Sequence, residues 1–178
     1  MGRNAGVLPE CGLWGDDLLI FVSVGTQKFQ MNRLIEAVDR LVQNKVITER
    51  VVIQKGHSTY EPKYCDAVGF YEYEELNEKI RNASMLICHA GVGTILTGLK
   101  NGKKVIVMPR YRRYGEHVDD HQVEIAKAFA ESGYVKMVRE AAELPKVLKQ
   151  AESWEPLKYV SNTEHFLDIL IGKLKEYG

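Results

Sequence analysis

Apolar residues in this chain fall into two alternating patterns. Short unbroken runs are what strands buried on both faces of a parallel sheet produce. Between them lie longer stretches whose apolar positions recur every three or four residues, the spacing of a helix with one buried face. Residues 18–24 (LLIFVSV) form the first run. In residues 29–42, Leu34, Ile35, Val38, Leu41 and Val42 then share one helical face. Runs at 51–53, 66–70, 84–88, 104–108 and 134–138 predict further strands. Helical spacing predicts helices over 73–82, 91–101, 117–132, 140–150 and 162–177. Gly133 is placed to end the helix over 117–132, and Trp154-Glu155-Pro156 separates the last two helices. The final one carries Phe166, Leu167, Ile169, Leu170 and Leu174 on one face, to pack on this domain or on a partner.

Strands alternating with helices predict an α/β fold, a single Rossmann-like, doubly wound parallel sheet with strand order 3-2-1-4-5-6. In that order the first and fourth strands are neighbours at the topological switch point. The loops that follow them, Gly25-Thr26-Gln27 and His89-Ala90-Gly91-Val92-Gly93-Thr94, therefore face each other across a crevice where such sheets bind ligands. The second of these loops joins a strand to a helix. Its glycines let the backbone approach a ligand, and the free N–H groups of the first helical turn favour an anion such as a diphosphate. The plainer reading is a tight turn with no ligand.

Composition narrows the classes. The 24 basic and 24 acidic residues cancel, so no polyanion-binding surface is advertised and nucleic acid is not an expected partner. Cys11, Cys65 and Cys88 form no CxxC pair, which fits a reduced, cytoplasmic compartment. No run reaches the ~18 apolar residues of a membrane span, and the first residues lack the apolar core of a signal peptide. Residues 1–17 read as a loose extension, and residues 18–178 as one domain with a C-terminal helix. NAD is disfavoured because the first loop is not GxGxxG, and Gln54-Lys55 stands where an acidic ribose partner would end the second strand. No Walker A sequence occurs.

A third cluster follows the fifth strand: a basic, aromatic loop (Arg110-Tyr111-Arg112-Arg113-Tyr114), then Glu116-His117-Val118-Asp119-Asp120-His121-Gln122. Asp119 or Asp120 suits a helix N-cap. Asp120, His121 and Gln122 are also side chains that accept from and donate to sugar hydroxyls. His117 and His121 have metal-ligand spacing, but no third ligand is evident and no metal site is expected.

The segments FVSVGTQKF, ICHAGVGTILTGLKNGKKVIVMPR and DDHQVEIAKAFAESGYV resemble, over residues 18–138, the carboxyl-terminal half of a GT-B glycosyltransferase. The likeness is strongest to separately encoded subunits: the catalytic subunit of the eukaryotic dolichol-linked UDP-N-acetylglucosamine transferase, and PssE/EpsE-type subunits of exopolysaccharide and capsule synthesis. It extends more distantly to MurG. The resemblance implies that His89, Ala90, Gly91, Gly93 and Thr94 embrace a UDP diphosphate, with Gly25, Thr26 and Gln27 opposite. Phe70 and Tyr71 would offer backbone contacts to uracil, and Asp120, His121 and Gln122 would reach the donor sugar. Thr97 stands where MurG-like members carry a ribose-binding Glu.

The implied reaction moves a hexose from a UDP-sugar donor to a lipid-linked saccharide acceptor, with inversion and without a cofactor. Stabilising the departing UDP is the main electrostatic task, with Arg110, Arg112 or Arg113 as candidates to assist. The general base and acceptor cleft would lie on a membrane-anchored PssD/EpsD-like partner, which would recruit this chain to the inner face of the membrane. This chain would be inactive alone. Two competing readings are a non-catalytic UDP-sugar sensor or scaffold, and a self-sufficient hydrolase or epimerase.

Overall fold

A computed structural model describes residues 19–160. Its sheet has six parallel strands: β1 (Leu19–Ser23), β2 (Arg50–Gln54), β3 (Asp66–Val68), β4 (Met85–Cys88), β5 (Lys104–Val107) and β6 (Lys136–Met137). Their order is β3-β2-β1-β4-β5-β6, as the alternation predicts. Five α-helices cover it: α1 (Asn32–Gln43), α2 (Tyr73–Asn82), α3 (Val92–Lys100), α4 (His121–Glu131) and α5 (Leu144–Ser153). Side chains of a strand point alternately to either face, so each unbroken apolar run supplies two cores. Ile20, Val22, Ile53, Ile87 and Ile106 pack with Leu34, Ile35 and Val38 of α1 and Leu144 and Leu148 of α5. Phe21, Leu86, Val105 and Val107 pack with Ile80, Ile95, Leu99 and Ala126 on the opposite face. Gly98 brings α3 close, for a Cβ there would lie 2.7 Å from a Leu86 methyl.

Several boundaries differ from the sequence pattern, and side-chain hydrogen bonds explain the clearest cases. The first helix begins at Asn32 rather than Phe29. Ser58 Oγ accepts the Met31 N–H at 2.9 Å and Gln30 Oε1 accepts that of Asn32 at 2.8 Å, fixing the start there. The helix expected over 117–132 begins at His121, because Asp119 Oδ1 accepts the His121 N–H at 3.0 Å and holds the preceding residues in a turn. Gly133 does follow it in the left-handed region, at φ +75°. The stretch 140–150 divides into a short 3-10 turn (Ala141–Glu143) and α5. The extension 1–17 and the helix over 162–177 lie outside the described residues.

Between β2 and β3 runs a helix-free loop that is strapped onto α1. Asn32 Oδ1 accepts the N–H groups of Thr59 and Tyr60. The buried Asp39 carboxylate accepts from the Tyr60 hydroxyl and from the N–H groups of Lys63 and Tyr64. A fully bonded carboxylate can sit in an apolar layer.

Candidate functional site between the ends of β1 and β4

Ser23 pairs with Cys88 at the carboxyl ends of the two central strands, and the His89 N–H extends the ladder to the Ser23 carbonyl at 3.1 Å. The His89 side chain then folds back into the seam, leaving 7% of the residue exposed. A Cβ at Gly25 would lie 2.5 Å from His89 Cε1, and one at Gly91 would lie 2.2 Å from Nε2. Any side chain at either position would collide with the ring. Gly25 also has φ +79°, where a Cβ is strained in any case. The two predicted loops do converge, but these glycines are walls of an imidazole slot before they are anything to a ligand. Gly93 differs: it is exposed and a Cβ there would meet nothing within 4 Å.

His89 Nδ1 lies 3.4 Å from the Ser23 carbonyl oxygen. Nδ1–H is thus the donor, and Nε2 is left as a bare acceptor beside Gly91. Burial, then the neighbouring Arg110 charge, pushes the imidazole pKa down to about 4. His89 is a neutral spacer at neutral pH.

The start of α3 is open. Its N-cap, Gly91, has no side chain, no side-chain hydrogen bond caps the turn, and the first turn holds no acidic residue. The dipole's positive end and the N–H groups around Gly93 are therefore uncompensated by protein groups. Thr97 donates its hydroxyl to the Gly93 carbonyl at 2.9 Å.

Gln54 is a contributor that the sequence pattern undervalues. Buried at the end of β2, it donates through Nε2 to Ser23 Oγ at 3.2 Å and accepts the Tyr71 N–H on Oε1 at 3.1 Å. Ser23 Oγ also accepts the Gly25 N–H at 3.3 Å. One amide thus ties the segment after β3 to the turn after β1. The Tyr71 N–H is committed to Gln54, and the Tyr71 ring packs on Phe21 with centroids 6.0 Å apart. Phe70 is exposed, its ring edge-on to His57 at 5.0 Å. Thr26 and Gln27 are exposed too.

The basic loop after β5 departs from expectation. Arg110 is neither a surface residue nor open to a ligand in the simple sense, being 1% exposed and bonded to main-chain carbonyls. Arg113 pairs with Glu140 and lies over the rings of Tyr111 and Tyr114. Exposed Arg112 donates its main-chain N–H to Asp120 Oδ1 at 2.8 Å. The structure thus gives Arg110 and Arg113 protein partners.

At α4 the N-cap residue is Asp120, and Asp119 just before it accepts the His121 N–H, which holds the Asp119 carboxyl below the usual carboxylate range. His121 is exposed, while Gln122 is buried with its Oε1 accepting the Arg110 N–H at 3.3 Å. Because the helix starts at His121, His117 lies outside it. His117 instead meets Asp119 Oδ1 at 3.0 Å and the Phe29 ring at 5.7 Å. Among the described residues no group of three His, Cys, Asp or Glu is placed to hold a metal ion, and no helix is long and apolar enough to cross a membrane.

The chain is 30% identical over 123 residues to the human UDP-N-acetylglucosamine transferase subunit ALG13, a match covering 65% of this chain and 10% of that protein. It is 29% identical over 98 residues to the Rhodospirillum rubrum UDP-N-acetylglucosamine–N-acetylmuramyl-(pentapeptide) pyrophosphoryl-undecaprenol N-acetylglucosamine transferase, covering 55% of this chain and 24% of that enzyme. The chain thus spans a minor part of either relative. Solved structures share the fold. An ALG13 solution structure aligns with TM-score 0.57 at 20% identity, over 84% of this chain and 92% of that one. Acinetobacter baumannii MurG aligns with TM-score 0.55 at 20% identity, over 87% and 50%. The profile of the glycosyltransferase family 28 C-terminal domain matches residues 19–166, and the chain belongs to that family.

Proposed function

We propose that this chain is the donor-binding subunit of a two-chain inverting glycosyltransferase, moving a hexose from a UDP-sugar to a lipid-linked saccharide in exopolysaccharide or capsule synthesis. The observation that carries this reading is the uncapped start of α3, set at the switch point of a family 28 domain. Departure of UDP leaves negative charge on its terminal phosphate. Main-chain N–H groups of Gly91, Val92, Gly93 and Thr94, with the helix dipole behind them, stabilise that charge as it develops. Exposed Thr26 and Gln27 face the same crevice from β1. Neutral His89 keeps the two loops apart and offers Nε2 as an acceptor. It serves as a spacer and not as the phosphate's counter-charge.

His121 and the amide of Gln122 stand at the start of α4 to meet the donor sugar, and the segment Phe70-Tyr71 to meet the base. Since Gln54 occupies the Tyr71 N–H, the uracil contact falls to the Phe70 N–H and the carbonyl groups of that segment. The ribose partner is a residue other than Thr97, whose hydroxyl is already engaged. A membrane-anchored PssD/EpsD-like partner supplies the acceptor cleft and general base; what supports a partner of any kind is that the human relative is named as a subunit. The test is thermal denaturation with UDP, followed by a UDP-sugar panel on the chain with and without its partner. UDP should raise the melting temperature, and transfer should need both chains. No shift at millimolar UDP would sink the donor-binding reading, and turnover by the single chain would sink the two-chain reading.

A further inference from the structure

Arg110, directly after Pro109 beyond β5, is among the largest fully buried side chains of the described residues. Its Nη1 donates to the carbonyls of Phe29 and Glu116, each at 2.9 Å, and its Nη2 to that of Val24. Val24 and Phe29 bracket the turn Gly25-Thr26-Gln27-Lys28, whose last three residues are exposed, so one guanidinium holds both ends of that turn. Its main-chain N–H reaches Gln122 Oε1 and ties in the first turn of α4. Two segments of the proposed donor site, the turn and the start of α4, therefore converge on a single residue, the first through its side chain and the second through its main chain.

Holding loops does not by itself call for a charge. A buried guanidinium costs several kcal/mol unless an anion faces it, and Arg110 bonds only to carbonyl oxygens. Burial pulls its pKa down, and the nearby Glu116 carboxylate works against this in favour of the charged form. Yet the Glu116 oxygens accept from Arg33 Nε and Nη2 and from the Tyr111 N–H. Two guanidinium groups thus share one buried carboxylate, leaving an excess positive charge. Arg110 Nε is, among the described residues, the buried side-chain polar atom that has no hydrogen-bond partner. This field extends across the seam, since after burial it is the main influence lowering the His89 pKa.

We propose that Arg110 is a positioning residue for the donor diphosphate, holding the turn 25–28 opposite α3 and presenting from behind it an uncompensated positive charge. This rests on the donor-binding reading above. Its particular consequence is selectivity for phosphate over the nucleoside.

The experiment is calorimetric titration of the folded chain with UDP and, separately, with uridine, for wild type, Arg110→Gln and Arg110→Lys. Loss of the charge in Arg110→Gln should weaken UDP about tenfold or more and leave uridine unchanged, while Arg110→Lys restores UDP to within about threefold of wild type. Equal losses for UDP and uridine would reduce Arg110 to scaffolding, and undiminished UDP binding by the Gln variant would overturn the proposal outright. Wild type that binds neither compound overturns the donor reading instead. If Arg110→Gln does not fold, the Arg110 Nε–H resonance of the wild-type protein decides. It should move on adding UDP and stay in place with uridine; the same response to both compounds overturns the proposal.

Discussion

Two helices begin beside the same crevice, and they begin in opposite ways. α4 is finished from within: Asp119 accepts its first N–H and Glu124 adds a carboxylate to its first turn. α3 starts from a glycine, with no side-chain acceptor and no acid. The same dipole is neutralised in one and left exposed in the other. An end satisfied by its own side chains has no demand left for a ligand, whereas an open end at a switch point gains by meeting an anion. The contrast recurs within the loop after β4. Gly91 is pressed against His89, while Gly93, two residues on, faces open space.

The largest effect should come from closing the packed side of this comparison. Gly91→Ala would set a methyl 2.2 Å from His89 Nε2, and displacing that ring should cost about 3 kcal/mol in a denaturant titration. A cost below about 1 kcal/mol would show that the imidazole is not a fixed spacer. Acid should attack the same seam. The unfolded chain binds a proton at His89 near 6.5 and the folded chain near 4, so between these values the unfolded state holds more protons. Stability is then intact above about pH 6.5 and declines towards pH 4, by up to about 3 kcal/mol. His89→Asn should flatten that part of the pH profile; an unchanged slope would assign the loss to other groups.

Smaller effects come from exchanging the two helix starts. Asp119→Ala removes the acceptor of the first N–H of α4 and should lower the melting temperature by a few degrees. Gly93→Asp does the reverse for α3. It should stabilise the fold by about 0.5 kcal/mol, since a carboxylate there complements the dipole, and weaken UDP binding about tenfold or more by occupying the anion's place. Tighter or unaltered UDP binding by Gly93→Asp would show that the phosphates sit elsewhere.

Strand order, the two cores and the meeting of the loops after β1 and β4 were legible in the chain because each rests on period and alternation. Phe21 and Val22 point to opposite cores simply because they are adjacent in a strand. The start of α4 was less legible. The pattern runs on through His117, and a single bond from Asp119 decides the boundary. Arg110 was the least legible of all. In the run Arg110-Tyr111-Arg112-Arg113-Tyr114 nothing local separates the buried arginine from the exposed ones. What separates them is the position of carbonyls at Val24 and Phe29, more than eighty residues away.

The amino-acid order by itself determined the layered α/β architecture, its switch point and the glycine-rich turn there, since apolar periodicity and right-handed crossovers act through neighbours along the chain. Tertiary structure decided which groups are spent and which are free. Gly91 became a wall for His89, the Tyr71 N–H went to Gln54, and the Glu116 carboxylate went to Arg33, leaving Arg110 in excess. Hydrogen-bond and charge balance are settled by partners brought together from distant segments, and no local pattern contains them.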